Sequence, residues 1–72
     1  MWNRYIGDQM ENKINEYLEI RGFKKKWVAD QLGVSQVVLS RWINGHSNPS
    51  LENAFRLAEL LGCKVDDLYE RK

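Results

Sequence analysis

Apolar residues recur along the chain at intervals of three and four positions, and glycines separate the apolar segments. This spacing places the apolar side chains on one face of an α-helix, so it predicts helical structure. No segment alternates apolar and polar residues with the period of two that is typical of a half-buried strand. The pattern therefore predicts an all-α fold, a compact bundle of about five short helices that are stable only when packed together.

The glycines predict where these helices end, because glycine adopts the left-handed backbone of a helix C-terminus without a steric penalty. Gly22, Gly33 and Gly62 follow the first, second and fourth apolar segments. Asn44-Gly45 follows the third. The predicted apolar faces, in helix order, consist of Met10, Ile14, Tyr17 and Leu18; Val28, Ala29 and Leu32; Leu39 and Trp42; Leu51, Ala54, Phe55, Leu57, Ala58 and Leu61; and Val65, Leu68 and Tyr69.

The length and composition fit one small domain. The chain has 72 residues, of which 43% are apolar and 29% are charged, so a core is expected and disorder is not. We expect residues 1–9 to form an N-terminal extension packed on the core and residues 10–72 to form the domain. Cys63 is the single cysteine, which excludes an internal disulfide. Because no apolar run is as long as a membrane span and no signal peptide is recognisable, the sequence predicts a cytoplasmic protein without a membrane partner.

Charge is unevenly distributed, although the formal net charge is only +1. Residues 21–46 carry five basic residues against one acidic residue, a net charge of +4, whereas residues 1–20 sum to −2 and residues 47–72 to −1. A basic middle between acidic flanks indicates one face that meets an anion. Taken alone, the lysines at 24–26 are equally consistent with a solvated turn.

The stretch from Lys25 to Gly45 has the pattern of a helix-turn-helix. Ala29 is small enough to let the two predicted helices approach closely. Gly33 can adopt the left-handed backbone of a tight turn, and Val34 can fill the angle between the helices. Each feature is common alone, but their combination at this spacing is specific to the motif.

The third helix is predicted to run from about Gln36 to Ile43, because Ser35 is a preferred N-cap and Asn44-Gly45 is a strong stop signal. Ser50 is the corresponding N-cap of the fourth helix. If the apolar residues of the third helix face the core, helical geometry turns the remaining side chains outward. The predicted outward residues are Gln36, Val37, Ser40, Arg41 and Asn44.

The sequence resembles the helix-turn-helix domain of phage repressors, Cro proteins and related bacterial regulators, the Xre family. The resemblance extends from about Ile14 to Leu68, and the matching positions are Gly22-Phe23, Val28-Ala29, Leu32-Gly33-Val34-Ser35, Leu39-Ser40-Arg41-Trp42, Asn44-Gly45, Asn48-Pro49-Ser50-Leu51, Leu57-Ala58, Leu61-Gly62 and Val65-Asp66-Asp67-Leu68. It implies a lambda-repressor-like DNA-binding domain that inserts its third helix into the major groove of DNA.

The outward face of the third helix carries side chains suited to reading bases. Gln can form two hydrogen bonds with adenine and Arg two with guanine, and Val can contact a thymine methyl group. Because residues early in such a helix usually reach base edges, the predicted base-reading residues are Gln36, Val37, Ser40 and Arg41. Outside this motif, the same side chains would be interpreted as solvated surface.

Phosphate contacts are expected on both sides of that helix. The second helix begins with Lys24-Lys25-Lys26-Trp27, where the family often has Ser-Gln-Glu-Glu. Lysine cannot cap a helix as serine does, and three cations oppose the helix dipole, which indicates an external anion such as DNA phosphate. The resemblance assigns Lys25 the role of a phosphate-contacting Gln and the loop at His46 a similar role, although His46 fits a plain loop residue equally well. The predicted phosphate-contacting residues are Lys24, Lys25, Lys26, Ser35, Asn44 and His46.

Three residues are candidates for protein contacts. Trp27 and Ile43 stand where the family commonly has charged residues, and we expect both to be exposed beside the basic face. The other interpretation is that they pack against residues 1–9. Tyr69 matches a region that often supports dimers in the family, and it fits the core equally well.

Two hypotheses from different classes follow. The first is a sequence-specific transcriptional regulator, which is repressor-like, Cro-like or an antitoxin-like autoregulator. Its partner is a double-stranded DNA operator, which is pseudo-palindromic if a homodimer binds it. The lysines together with Gln36 and Arg41 favour this hypothesis. The second is a helix-turn-helix fold used as a protein-binding adaptor or anti-repressor through an apolar patch of Trp27 and Ile43, to which Trp2 could add. The sequence contains no recognisable catalytic set, metal site or cofactor motif, so we do not expect an enzyme.

Overall fold

Within residues 10–71, which the computed structural model describes, a short antiparallel β-ribbon joins the two ends of a bundle of five helices. The elements in chain order are β1 (Met10–Asn12), α1 (Ile14–Arg21), α2 (Lys25–Leu32), α3 (Gln36–Ile43), α4 (Leu51–Leu61), α5 (Val65–Leu68) and β2 (Tyr69–Arg71). The predicted extension at residues 1–9 lies outside the described residues.

The helix ends predicted from the glycines and from Asn44-Gly45, and the two serine N-caps, are confirmed. The Ser35 Oγ caps α3 by accepting the Val38 N–H at 3.1 Å, and the Ser50 Oγ caps α4 by accepting the Asn53 N–H at 3.2 Å. The helices α1, α2 and α4 each end at a glycine in the left-handed conformation. The predicted bundle of short helices is therefore confirmed, with the ribbon as an addition.

The core is formed by one face of each helix. Its buried residues are Ile14, Leu18, Val28, Ala29, Leu32, Leu39, Trp42, Ala54, Leu57, Ala58, Leu61 and Leu68. Two residues predicted to join them do not, since Leu51 is 74% exposed and Phe55 is 56% exposed. Both lie at the edge of the apolar face of α4, which is wider than the surface that the other helices cover.

The β-ribbon is the element that the hydrophobic pattern did not predict. The two strands pair antiparallel over their full length of three residues each. The predictions that Met10 belongs to the first helix and Tyr69 to the last are therefore wrong, because α1 begins at Ile14 and α5 ends at Leu68. Three residues are too few to show a period of two, so the sequence carried no strand signal.

Candidate nucleic-acid interface

A tight turn at Gly33 joins α2 to α3. Gly33 has a φ of 72°, a backbone conformation that favours glycine. Its N–H donates to the Asp30 carbonyl at 3.2 Å. The Val34 N–H donates to the Ala29 carbonyl at 3.0 Å, which completes the hydrogen-bond pair of a Schellman motif. Ala29 is buried and Val34 packs against the core, so the helix-turn-helix is formed by the residues that predicted it.

The face of α3 that points away from the core carries the predicted base-reading side chains. Leu39 and Trp42 are buried, and the opposite side of the helix is left to solvent. The exposed residues of this face are Gln36, Val37, Arg41 and Asn44, and Ser40 is half-buried. Val37 is 69% exposed, so the fold itself makes little use of this apolar side chain. The face therefore offers an amide, a guanidinium and a small apolar surface, the groups that recognise base edges.

Ser35 fixes the N-terminal end of this face. Its Oγ accepts the Val38 N–H at 3.1 Å, and the residue is exposed. A hydroxyl that accepts one hydrogen bond still has its own hydrogen to donate. Ser35 can therefore cap α3 and contact an anion at the same time.

The N-terminal end of α2 is built differently. Lys24 stands at the N-cap in an extended conformation, with φ −84° and ψ 144°, and its side chain makes no capping hydrogen bond. The first turn contains no acidic residue, and Lys24, Lys25 and Lys26 are all exposed. Each of these cations opposes the positive end of the helix dipole by about 0.3–1 kcal/mol. The predicted absence of a cap is confirmed, and this end of α2 concentrates positive charge that an anion would neutralise.

The loop after α3 is held against the end of the helix. Gly45 has a φ of 78° and reverses the chain. The backbone N–H of His46 then donates to the Arg41 carbonyl at 2.9 Å, and that of Ser47 donates to the same carbonyl at 3.3 Å. The side chains of Asn44 and His46 are exposed next to the last turn of α3, where a phosphate contact was predicted.

The three predicted protein-contact residues have different environments. Trp27 is 43% exposed, and its ring lies tilted on Phe23 with the ring centroids 4.8 Å apart, so its predicted exposure is confirmed. The prediction that Ile43 is exposed is wrong, because its side chain is half-buried against the core. Tyr69 is also half-buried against the core. Its hydroxyl has no hydrogen-bond partner among the described residues, and burial raises its pKa.

Asn12 is a residue of this region that the sequence analysis missed. Its side-chain amide donates to the carbonyls of Trp42 and Ile43 in the last turn of α3, 30 and 31 residues along the chain. Its Oδ1 accepts the Ile14 N–H at 2.9 Å. The local half of this pattern has a recognisable signal, because asparagine often bonds a backbone N–H two residues ahead. The long-range hydrogen bonds to α3 depend on the β-ribbon, and the sequence carried no signal for them.

The single cysteine has the environment of a packing residue. Burial raises the pKa of the Cys63 thiol, nearby Asp67 raises it further, and Arg21 lowers it in part. The thiol is therefore protonated at neutral pH and a weak nucleophile. Among the described residues, no three His, Cys, Asp or Glu side chains are grouped so that they could hold a metal ion. Over the same residues, no helix has both the length and the apolar character needed to cross a membrane.

Comparisons with known proteins agree with one another. The sequence model of a helix-turn-helix family matches residues 14–68. The chain is 32% identical over 60 residues to an uncharacterized HTH-type transcriptional regulator of Methanocaldococcus jannaschii, a match that covers 83% of this chain and 91% of that protein. The structure is similar to the crystal structure of a candidate DNA-binding protein from Bacteroides fragilis, with a TM-score of 0.79 and 34% identity, over 85% of this chain and 98% of that one.

Proposed function

The chain belongs to the Cro/C1-type, Xre-like family of helix-turn-helix proteins, and from this premise we propose that it is a sequence-specific double-stranded DNA-binding protein that regulates transcription. The observation that carries this proposal is the exposed face of α3. On this face the side chains of Gln36, Val37 and Arg41 are exposed to solvent and take no part in the core. In this proposal the regulator is repressor-like or Cro-like and acts by occupying an operator and blocking polymerase.

The proposed complex places α3 in the major groove. Gln36 lies in the first turn and reaches an adenine, Val37 contacts a thymine methyl group, and Arg41 reaches a guanine one turn further on. Ser40 lies between Val37 and Arg41 in the sequence, and because it is half-buried only part of its side chain can contact a base. Each good bidentate contact contributes about 1–3 kcal/mol of discrimination against the wrong base.

Phosphate contacts hold the helix in the groove from both ends. At the start of α2, the exposed lysines 24–26 meet the backbone of one strand. At the start of α3, Ser35 donates its hydroxyl hydrogen, and after α3, Asn44 and His46 meet the backbone near the last turn. These contacts are independent of sequence and set the orientation in which bases are read.

One copy of the domain covers about one half-site, so we propose that two copies bind a pseudo-palindromic operator. The half-sites then lie about 10 base pairs apart, or a multiple of that distance, so that both third helices enter the groove from one side of the duplex. The spacing recovered from bound DNA reports the geometry of the dimer directly.

The test is selection of binding sites from a random duplex DNA pool with the purified protein at moderate salt. An inverted repeat supports a sequence-reading dimer, and a single half-site supports a monomer or a heteromer. Several phosphate contacts also require a steep loss of affinity between about 50 and 200 mM salt.

Two single variants distinguish base reading from phosphate contact. Arg41→Ala should weaken the base preference at one position of the selected site by about 1–3 kcal/mol. Lys25→Ala should weaken binding to all sequences similarly and reduce the salt slope by about one. Equal behaviour of the two variants would contradict the assigned roles.

The exposure of Trp27 supports a second candidate function, an adaptor or anti-repressor that binds a protein partner. The half-burial of Ile43 removes part of the predicted patch, so this candidate is the weaker one. If the folded protein enriches no DNA sequence, the adaptor is favoured. Trp27→Ala should then abolish partner binding and leave the fold intact.

A further inference from the structure

The last turn of α3 ends in carbonyl groups that a helix cannot bond internally. The Trp42 carbonyl accepts the Gly45 N–H at 3.2 Å and also the side-chain amide of Asn12. The Ile43 carbonyl accepts the same amide at 3.5 Å. This end of α3 is therefore tied to a residue that lies outside the helix-turn-helix.

Asn12 is itself anchored to the core. It lies opposite Tyr69 in the β-ribbon, and the next residue, Lys13, donates its N–H to the Leu68 carbonyl at 2.8 Å. The Asn12 Oδ1 accepts the Ile14 N–H at 2.9 Å. Leu68 and Ile14 are both fully buried. A hydrogen bond from Asn12 therefore constrains the last turn of α3 relative to the core as a whole.

The two ends of α3 are fixed by different hydrogen bonds, one at the Ser35 cap and the others from Asn12. Gln36 follows the Ser35 cap. In the sequence, Arg41 precedes and Asn44 follows Trp42 and Ile43, whose carbonyls accept the Asn12 amide. Any rotation of the last turn would therefore move both side chains. We propose that Asn12 is a positioning residue for DNA recognition: its amide sets the orientation of the last turn of α3 and with it the base preference at the position that Arg41 contacts. This inference rests on the proposed function.

Asn12→Ser is the variant that isolates the long-range bond. Serine can accept the Ile14 N–H as asparagine does, but its side chain is too short to reach the Trp42 carbonyl. Asn12→Asp keeps the length and the acceptor, lacks the donor, and places a negative charge against two carbonyls. Asn15→Ser is the matched control, because the Asn15 amide donates to the Glu19 carboxylate at 3.5 Å, within α1.

The experiment begins with the site that the wild-type protein selects from the random pool. Affinities for that site, for its single-base-pair variants and for unrelated DNA are measured at a temperature where circular dichroism shows every variant to be folded. We expect Asn12→Ser to lose about tenfold in affinity for the selected site. The loss should be concentrated at the base pair whose preference Arg41→Ala also removes, while the preference at the position of Gln36 and the affinity for unrelated DNA persist. Asn15→Ser should behave as the wild type.

Two results would overturn the inference without touching the proposed function. One is an Asn12→Ser protein that keeps the wild-type preference at every position. The other is a uniform loss of affinity that follows a lower melting temperature, because a merely structural role predicts no change in base preference. If the wild type selects no sequence, the proposed function fails and the role of Asn12 fails with it.

If Asn12→Ser does not fold, a measurement on the wild-type protein and the variant Asn12→Asp test the inference instead. In the wild-type protein, a scalar coupling across the hydrogen bond between the Asn12 side-chain nitrogen and the Trp42 carbonyl carbon reports the bond directly by NMR. Asn12→Asp then takes the place of Asn12→Ser in the affinity series. Absence of the coupling overturns the inference, and its presence with an altered preference at the Arg41 position supports it.

Discussion

The two helices of the helix-turn-helix begin in opposite ways. The first residue before α3 is Ser35, whose Oγ bonds the Val38 N–H at 3.1 Å, and α4 begins in the same manner with Ser50. The residue before α2 is Lys24, which makes no capping hydrogen bond and is followed by Lys25 and Lys26. Two helix starts of equal importance to the motif therefore differ in the sign of their local contribution to stability.

The difference separates residues that stabilise the fold from residues that serve binding. A serine cap contributes about 1 kcal/mol, whereas a cation at the same end of a helix is unfavourable. Packing holds α2 in place, since Val28, Ala29 and Leu32 are buried. The lysines contribute nothing comparable to the fold, and we infer that their role is contact with DNA phosphate.

The largest expected effect comes from replacing all three lysines at the start of α2. The triple variant Lys24→Gln, Lys25→Gln and Lys26→Gln should bind all DNA about a hundredfold more weakly at 0.1 M salt, with a salt slope reduced by about three. Its melting temperature should not fall. Lys64→Gln, at the start of α5, is the single-charge control. A triple variant that melts earlier and binds DNA normally would reverse the comparison between the two helix starts.

The next effect is on the cap of α3. Ser35→Ala should lower the free energy of unfolding by about 1 kcal/mol, because the Val38 N–H loses its partner. Ser50→Ala is the matched variant and should cost a similar amount. Urea unfolding measures both. Only Ser35→Ala should also weaken DNA binding, and equal DNA affinities of the two variants would remove Ser35 from the proposed interface.

A smaller effect of the opposite sign is expected at α2. Lys24→Ser supplies the missing cap and removes one cation from the helix end, so it should raise the free energy of unfolding by about 0.5–1 kcal/mol. DNA affinity should fall at the same time. Thermal unfolding and fluorescence anisotropy on the same samples check both, and a gain in both quantities would contradict a division between stability and binding.

The smallest effect concerns phosphate ion itself. Added phosphate should raise the melting temperature of the wild type more than that of the triple lysine variant, by about 1–3 °C, since an anion that binds the three clustered lysines stabilises the folded state that holds them together. Sulfate should act alike, and chloride at equal ionic strength should act less. No difference between the wild type and the triple variant would contradict an anion-binding role for the lysines in the folded protein.

The helical frame could be predicted because its signals are local. Each of Gly33, Ser35 and Ser50 stands within a few residues of the helix end that it defines, and α3 has the bounds that these signals predicted. The outward face of α3 followed from helical geometry once Leu39 and Trp42 were assigned to the core.

The remaining features could not be predicted because they depend on which surfaces the bundle covers. Leu51 and Phe55 belong to an apolar face that only partly meets other helices, and the periodicity of a helix does not report how much of its face is covered. The Asn12 amide, which lies outside the helix-turn-helix, donates to the Ile43 carbonyl at the end of α3 at 3.5 Å, 31 residues along the chain. The roles of individual residues on DNA remain predictions that the variants above address.

The β-ribbon brings the first and the last described elements of the domain, β1 and β2, side by side. Met10 lies opposite Arg71 in the antiparallel register, so the two ends of the described residues lie at the same edge of the fold. A two-residue turn of the Asn-Gly type between residues 71 and 10 would complete an ordinary β-hairpin. The closed chain could then be opened in the loop between α3 and α4. In such a circular permutant the helix-turn-helix would lie at the C-terminal end of the chain instead of in its middle. Asn12 would keep its contacts with α3.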